Sequence, residues 1–477
     1  MPSRHIFVLC ATGAAAGLAL VLAHGPAAIA AEIRVTPTVE ITEEYSTNID
    51  LERPNREESA FVTRATPGAE LRARSARMDA ALNAGITVKH QTAGQEDGVT
   101  QDITLTANGD FELARDRFFL ETDASISQQV LSSSLANSEA NQETVQTYRL
   151  SPVFKSHLGG HAAAEVRYAL EQVFLSQDVS NQTTHRGSFG LESGRKYERL
   201  IWGLDGSVSQ ATRSEDDDVT RAEIVASGEY AVTRWLQVLA EVGYQHFDDG
   251  DVTQFDAPVA VGGFRLRPSR RSELEARFGR RDDDTYLTAT LRHAIGPRTS
   301  LSLVYDETLS TSQERLANTV SALGRDDERD IFIDERFETP FNPKTDPFDI
   351  DNETERIRSF TAIMRRETTR TTIALSGGFA HEEKQVSGEE ETNIRVDLSL
   401  SRRLSRKVTA RASLGYERIE FDDGQVDNEY LANAGLGYEI WRDVEVRISY
   451  AFRTQSSTAA ASEFIEHSVL VGLRRRF

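Results

Sequence analysis

The feature that most constrains this chain is a period-two alternation of apolar and polar residues that recurs from near residue 33 to the last residue, Phe477. In residues 443–452 the apolar set is Val444, Val446, Ile448, Tyr450 and Phe452, with Glu445, Arg447 and Ser449 between them. In residues 393–400 it is Ile394, Val396, Leu398 and Leu400 against Arg395, Asp397 and Ser399. Val408, Ala410, Ala412, Leu414 and Tyr416 repeat it, as do Leu274, Ala276 and Phe278, and Leu82, Ala84, Ile86 and Val88. A helix would space its apolar residues three and four apart, so these segments predict strands with one apolar and one polar face.

The strands are punctuated by connections of two alternating kinds. Short turns fall near Ser75, Arg115, Leu158, Lys196, Thr233, Ser269, Pro297, Thr368, Ser405 and Arg442, and several are basic, as in Arg267-Pro268-Ser269-Arg270-Arg271. The intervening connections are mostly longer and acidic: residues 214–218, 248–251, 282–284, 389–391 and 422–427. Tight turns at one rim and acidic loops at the other are the asymmetry of an outer-membrane barrel, whose short turns are periplasmic. The ten short turns join twenty strands, and residues 33–45 and 466–477 add a first and a last. The fold expected is all-β, a transmembrane antiparallel up-and-down barrel of 18 to 22 strands, with 22 the best count. Pro37 and the irregular stretch 49–59 weigh against the first hairpin.

Residues 1–30 stand apart: Arg4 precedes an apolar or small-residue run from Ile6 to Ala23, and Ala28-Ile29-Ala30 forms a small-residue cleavage site. That is the pattern of a secretory signal peptide, leaving residues 31–477 as the barrel; an uncleaved anchor is the alternative. The single cysteine, Cys10, lies within this leader, so no disulfide framework or cysteine-ligated metal is expected. Beyond it, no stretch approaches the roughly eighteen apolar residues of a membrane helix, and a closed barrel is then the only way into lipid. A net charge of −21 argues against nucleic acid as a partner.

The polar face identifies candidate lumen residues: Glu275, Arg277, Arg395, Asp397, Glu445 and Arg447 could not face lipid cheaply, since arginine at the bilayer midplane costs about 2–4 kcal/mol. In a soluble β-sandwich they would face solvent, but a sandwich of this length would divide into domains with linkers, and none is visible. Tyr230, Trp235, Tyr244, Tyr416, Tyr438, Trp441 and Tyr450 lie near strand ends, where an interfacial aromatic girdle belongs. The last strand places Val469, Val471, Leu473, Arg475 and Phe477 on one face and ends on the aromatic, a pattern that looks like the signal read by barrel-assembly machinery. The connection 311–354, with Pro340, Pro343 and Pro347, is far longer than the rest and either folds into or over the lumen or is a disordered surface loop.

No G-x-x-x-x-G-K, H-E-x-x-H or G-x-S-x-G occurs, and no enzyme activity or cofactor is expected, although a serine and a histidine could still meet across strands. Asp346, Asp349, Asp351 and Glu353 could hold Ca²⁺, but without spaced loop geometry a solvated acidic surface is the better reading.

Val35-Thr36-Pro37 followed by Glu43-Glu44-Tyr45-Ser46-Thr47-Asn48-Ile49 resembles the opening of outer-membrane β-barrels found with exopolysaccharide and exosortase (PEP-CTERM) gene clusters. Thr66-Pro67-Gly68, Arg267-Pro268-Ser269-Arg270-Arg271-Ser272, and Tyr305 followed by Thr311 are similar to later landmarks of that group, while Thr47 stands where the group tends to have Asp. The resemblance implies a pore or port in exopolysaccharide export, working with polysaccharide and other envelope export components. A general diffusion porin and a structural or adhesion barrel stay open. The partners expected are outer-membrane lipid and lipopolysaccharide and the assembly machinery.

Overall fold

A computed structural model of the chain describes residues 32–95, 97–132, 141–175, 180–197, 199–214, 217–250, 253–326, 331–334, 339–340, 348–459 and 462–477. The leader 1–30 with Cys10, and Pro343, Asp346 and Pro347, lie outside the described residues.

Fifteen strands come first: β1 (Glu32–Ser46), β2 (Ala60–Ser75), β3 (Met78–Gln91), β4 (Gly98–Ala114), β5 (Phe118–Val130), β6 (Gln142–Leu158), β7 (Ala162–Phe174) and β8 (Gln182–Ser193). They continue as β9 (Leu200–Arg213), β10 (Val219–Ala231), β11 (Leu236–Asp249), β12 (Thr253–Ser269), β13 (Ser272–Arg281), β14 (Asp284–Gly296) and β15 (Thr299–Thr311). A helix, α1 (Ser312–Ser321), and the short strands β16 (Leu323–Asp326), β17 (Ile331–Asp334) and β18 (Thr339–Pro340) interrupt the series. Seven strands complete it: β19 (Thr354–Glu367), β20 (Thr371–Lys384), β21 (Glu390–Arg403), β22 (Val408–Phe421), β23 (Val426–Trp441), β24 (Val444–Ser457) and β25 (Phe464–Arg476).

All but β16–β18 belong to one 22-stranded antiparallel sheet. Each strand pairs with its sequence neighbour, β15 pairs with β19, and β25 pairs with β1 from Ser468↔Ser46 to Arg476↔Thr38, so the sheet closes. The first hairpin exists despite its proline. Closure leaves no edge strand, and with it no row of unpaired backbone groups to face lipid.

Alternation decides which face is which. On β21 and β22 Val396, Leu398 and Leu400 stand opposite Tyr416, Leu414 and Ala412, while Arg395, Asp397 and Ser399 stand opposite Glu417, Gly415 and Ser413. A slip of one residue would turn every charge outward, so the pattern fixes the register. The outward side chains stay uncovered, as with Leu414 at 57% and Phe278 at 60% exposure, which in a barrel is surface offered to hydrocarbon. Where a ring needs room, the outward neighbour is glycine: a Cβ on Gly206 would overlap the Phe189 ring.

Proline tests the ladder, because it has no N–H to donate. The β1–β25 register ends at Thr38, one residue short of Pro37, and Phe477 N–H donates to the Pro37 carbonyl at 2.9 Å. Pro67 and Pro152 fall in gaps of the β2–β3 and β6–β7 registers, and Pro268 falls at the irregularity between Leu266 and Ser269. The loop between β13 and β14 is only two residues, Asp282 and Asp283, with φ of 53° and 54°. Two left-handed residues are what a tight hairpin of matching twist requires, and Asp tolerates that region better than most.

Candidate functional site, a polar lumen with a helix in its mouth

The segment between β15 and β19 returns into the barrel. Thr311 caps α1: its Oγ1 accepts from Glu314 N–H at 3.2 Å, and Glu314 Oε2 accepts from Thr311 N–H at 3.3 Å. This reciprocal box satisfies donors that would otherwise be orphaned in a buried helix end. Leu316, Ala317 and Ile350 pack with Val145, Val173 and Leu175, which sit at the extracellular ends of β6 and β7. Val145 and Val173 share a face with Arg149 and Glu171 and oppose the exposed Leu150 and Tyr168, so this apolar patch points into the barrel. Past the helix, Leu323 reaches Ala81, near the periplasmic end of β3. The described part of the connection therefore descends into the lumen.

Both ends of this plug are fastened by hydrogen bonds. Asn352 Oδ1 accepts from Ser180 N–H at 2.9 Å and from Gln313 Nε2 at 3.2 Å, and its carbonyl accepts from Arg213 Nη1 at 2.7 Å. Arg213 also pairs with Asp249 at 2.5 Å, both side chains 4% exposed, and Asp249 accepts from Thr354 Oγ1. Arg315 of α1 pairs with Glu355 and lies 3.5 Å from Glu382, two carboxylates that face inward from β19 and β20. Lys384 holds Asp351 at 2.8 Å, and Ser387 N–H donates to Glu353 at 3.0 Å. Those acids are engaged within the chain, and among the described residues no group of three or more His, Cys, Asp or Glu is placed to hold a metal.

On the periplasmic side of α1 the wall opens into a cavity of about 710 Å³, lined among others by Lys155, Glu165, Asp205, Glu241, Arg277 and Tyr286. Its charges neutralise one another along a ladder. Arg265 pairs with Glu229 and Glu275 at 2.7 Å each, Arg277 with Glu275 at 2.8 Å and with Glu241, and Arg281 with Glu241 at 3.3 Å and Glu223 at 3.1 Å. A smaller ladder joins Arg167 to Glu165 at 3.1 Å and to Glu121.

The six residues singled out in the sequence do not form one cluster. Glu275 and Arg277 sit on β13 within the main ladder; Arg395 and Asp397 pair with each other on β21 at 2.9 Å; Arg447 pairs with Glu40 of β1 at 2.6 Å and Glu445 lies 3.6 Å from Arg411. All share the face opposite the exposed Phe278, Val396, Leu398 and Ile448. Glu229, Glu241, Arg265 and Arg281 went unnamed, although the same alternation marks them. The fastening residues Arg213, Asp249, Asn352 and Glu382 carry no such mark, because a charge at a strand end, or an amide in a loop, reads as solvated.

Tyr230, Trp235, Tyr438 and Trp441 are exposed at or beside the short turns, while Tyr244, Tyr416 and Tyr450 stand farther along their strands. Tyr45 with Phe61 and Tyr416 with Tyr430 form outward aromatic pairs, their centroids 5.0 Å and 5.1 Å apart. Val469, Val471 and Leu473 are exposed along β25, and Phe477 ends the chain with its ring 4.3 Å beneath the Arg475 guanidinium.

A closed 22-stranded sheet with an apolar outer band and a charged, plugged interior is the architecture of an outer-membrane β-barrel. The chain has the fold of an outer-membrane β-barrel, and residues 361–477, from within β19 to the C-terminus, match the family described as "Putative beta-barrel porin 2". No curated protein matches the sequence. Among solved structures it is similar to the iron transporter FrpB of Neisseria meningitidis (TM-score 0.51, 9% identity, covering 93% of this chain and 81% of that one). It is also similar to the ferric-catecholate import receptor Fiu of E. coli K12 (TM-score 0.52, 8% identity, 93% and 82% covered) and to the ferric enterobactin receptor PfeA of Pseudomonas aeruginosa (TM-score 0.51, 8% identity, 94% and 82% covered). At such identities the likeness is one of fold.

Proposed function

We propose that this chain is a passive port in the bacterial outer membrane through which a secreted polysaccharide leaves the cell, narrowed by α1 and the segment after it. The observation that supports the reading is the fastening of that segment inside a wall whose charges are already paired. A guanidinium held by two carboxylates offers a passing hydroxyl a weak, replaceable hydrogen bond, which suits sliding more than capture. No catalytic step is part of the proposal; the driving force would come from synthesis and transfer at the inner membrane.

The test is conductance of the refolded barrel in a planar bilayer, compared with a variant in which residues 313–351 are replaced by a short Gly-Ser link. A small steady conductance that rises severalfold in the variant is the expected outcome. No conductance in either form would overturn the port and leave a structural barrel. A general diffusion porin is the second reading, favoured by the family that residues 361–477 match. It would show in liposome swelling as free passage of mono- and disaccharides by the unaltered chain.

A further inference from the structure

Lumen and rim treat arginine differently. Along β25 the side chains alternate, and the inward Arg474 and Arg476 both reach Glu70, at 3.0 Å and 3.4 Å. Among the described residues, the outward Arg475 meets the Phe477 ring. It continues the lipid-facing stripe Val469, Val471, Leu473 at the periplasmic border. The same termination recurs elsewhere on the circumference. On β19 the outward series Ala362, Met364 ends on Arg366, and on β21 Leu398, Leu400 ends on Arg402. Both arginines are exposed, and among the described residues no carboxylate pairs with Arg366, Arg402 or Arg475. The chain has acids to spare at a net charge of −21, and those near these arginines, such as Glu70 and Glu367, pair with the inward Arg474, Arg476 and Arg365.

We propose that these outward arginines bind the phosphates of anionic phospholipids in the periplasmic leaflet. Two observations converge on a lipid occupant. The arginines lie one step beyond the hydrocarbon-facing side chains, at headgroup depth. Exposed Trp235 and Trp441, at 46% and 69%, share that level, and such rings settle at a membrane interface. A guanidinium offers a fork of donors to a phosphate, and each cation near an anionic surface gains roughly a fivefold preference.

The experiment is native mass spectrometry of the full mature barrel released from vesicles of phosphatidylcholine mixed equally with phosphatidylglycerol. The unaltered protein is expected to retain phosphatidylglycerol over phosphatidylcholine, roughly fivefold or more. Arg366→Gln, Arg402→Gln and Arg475→Gln together should erase most of that preference, while Arg395→Gln, which alters a lumen arginine, leaves it intact. Because the triple variant could misassemble, the unaltered protein is also measured across a salt series, where the preference should decline with ionic strength. Equal retention of the two lipids by the unaltered barrel overturns the proposal and turns attention to an acidic protein ligand. A preference that survives in a folded triple variant, or that is indifferent to salt, overturns it as well.

Discussion

At residue scale, the position of an arginine relative to the wall decides what it does. Arg277 lines the lumen in a ladder of carboxylates, Arg213 is buried against Asp249 and fastens Asn352, and Arg315 carries the helix's charge to Glu355. Removing one partner of a buried pair strands the other, at about 3–5 kcal/mol. Arg213→Ala should therefore loosen the plug: amides of α1 are expected to exchange with deuterium much faster while those of β21–β24 stay protected. Equal protection of α1 in the variant would show that Asn352 and Arg213 do not hold it. The faces make a second contrast. Leu414→Arg should cost about 2–4 kcal/mol in denaturant unfolding from phospholipid vesicles, whereas Ser413→Arg, next door but inward, should be close to neutral. Lumen residues such as Arg277 were legible because alternation alone assigns them a face. Arg213 and Asp249 were not, because their partners come from residues far along the chain.

At the scale of elements, the number, order and faces of the strands were readable and the plug was not. Each short turn inferred from Ser75 to Arg442 lies at or beside a turn of the barrel, since a basic or Gly-Pro break between two alternating runs has few other meanings. Pro37 gave a false warning: a missing donor matters only where a neighbour would have accepted, and there β25 has already ended. The helix carries a legible start, Thr311-x-x-Glu314, but only Leu316, Ala317 and Val320 follow as apolar positions, too few to announce an amphipathic helix. Its stability comes from the wall patch at Val145, Val173 and Leu175, which no local pattern announces. Thr311→Ala removes one half of the box and should destabilise α1 by about 1 kcal/mol, readable as roughly fivefold faster amide exchange confined to that helix. An unchanged exchange rate would mean that the tertiary fastening alone holds it.

For the molecule as a whole, two properties follow from closure and charge. Deleting Phe477 should lower the amount of heat-modifiable barrel in the outer membrane while barely altering unfolding of protein refolded in vitro, because the ring is exposed and joins the seam only through its backbone bond to Pro37. Equal losses in both assays would assign the residue to stability and not to assembly. A pore in a chain of net charge −21 should also favour cations, giving a cation-selective reversal potential across a salt gradient.

The plug is neither a leader domain nor a separate chain; it is sewn into the sheet, leaving it from β15 and rejoining it at β19, and it grips β5, β6 and β7 across the lumen. That placement bears on how the barrel closes. While β25 has yet to find β1, a sheet of some twenty strands has no intrinsic reason to curl to one radius and not another. A segment tethered at both ends and adhering to strands eight to ten positions from β15 is placed to draw the two halves of the open sheet toward each other, so the object that fills the finished lumen can also act as the former around which the wall is rolled.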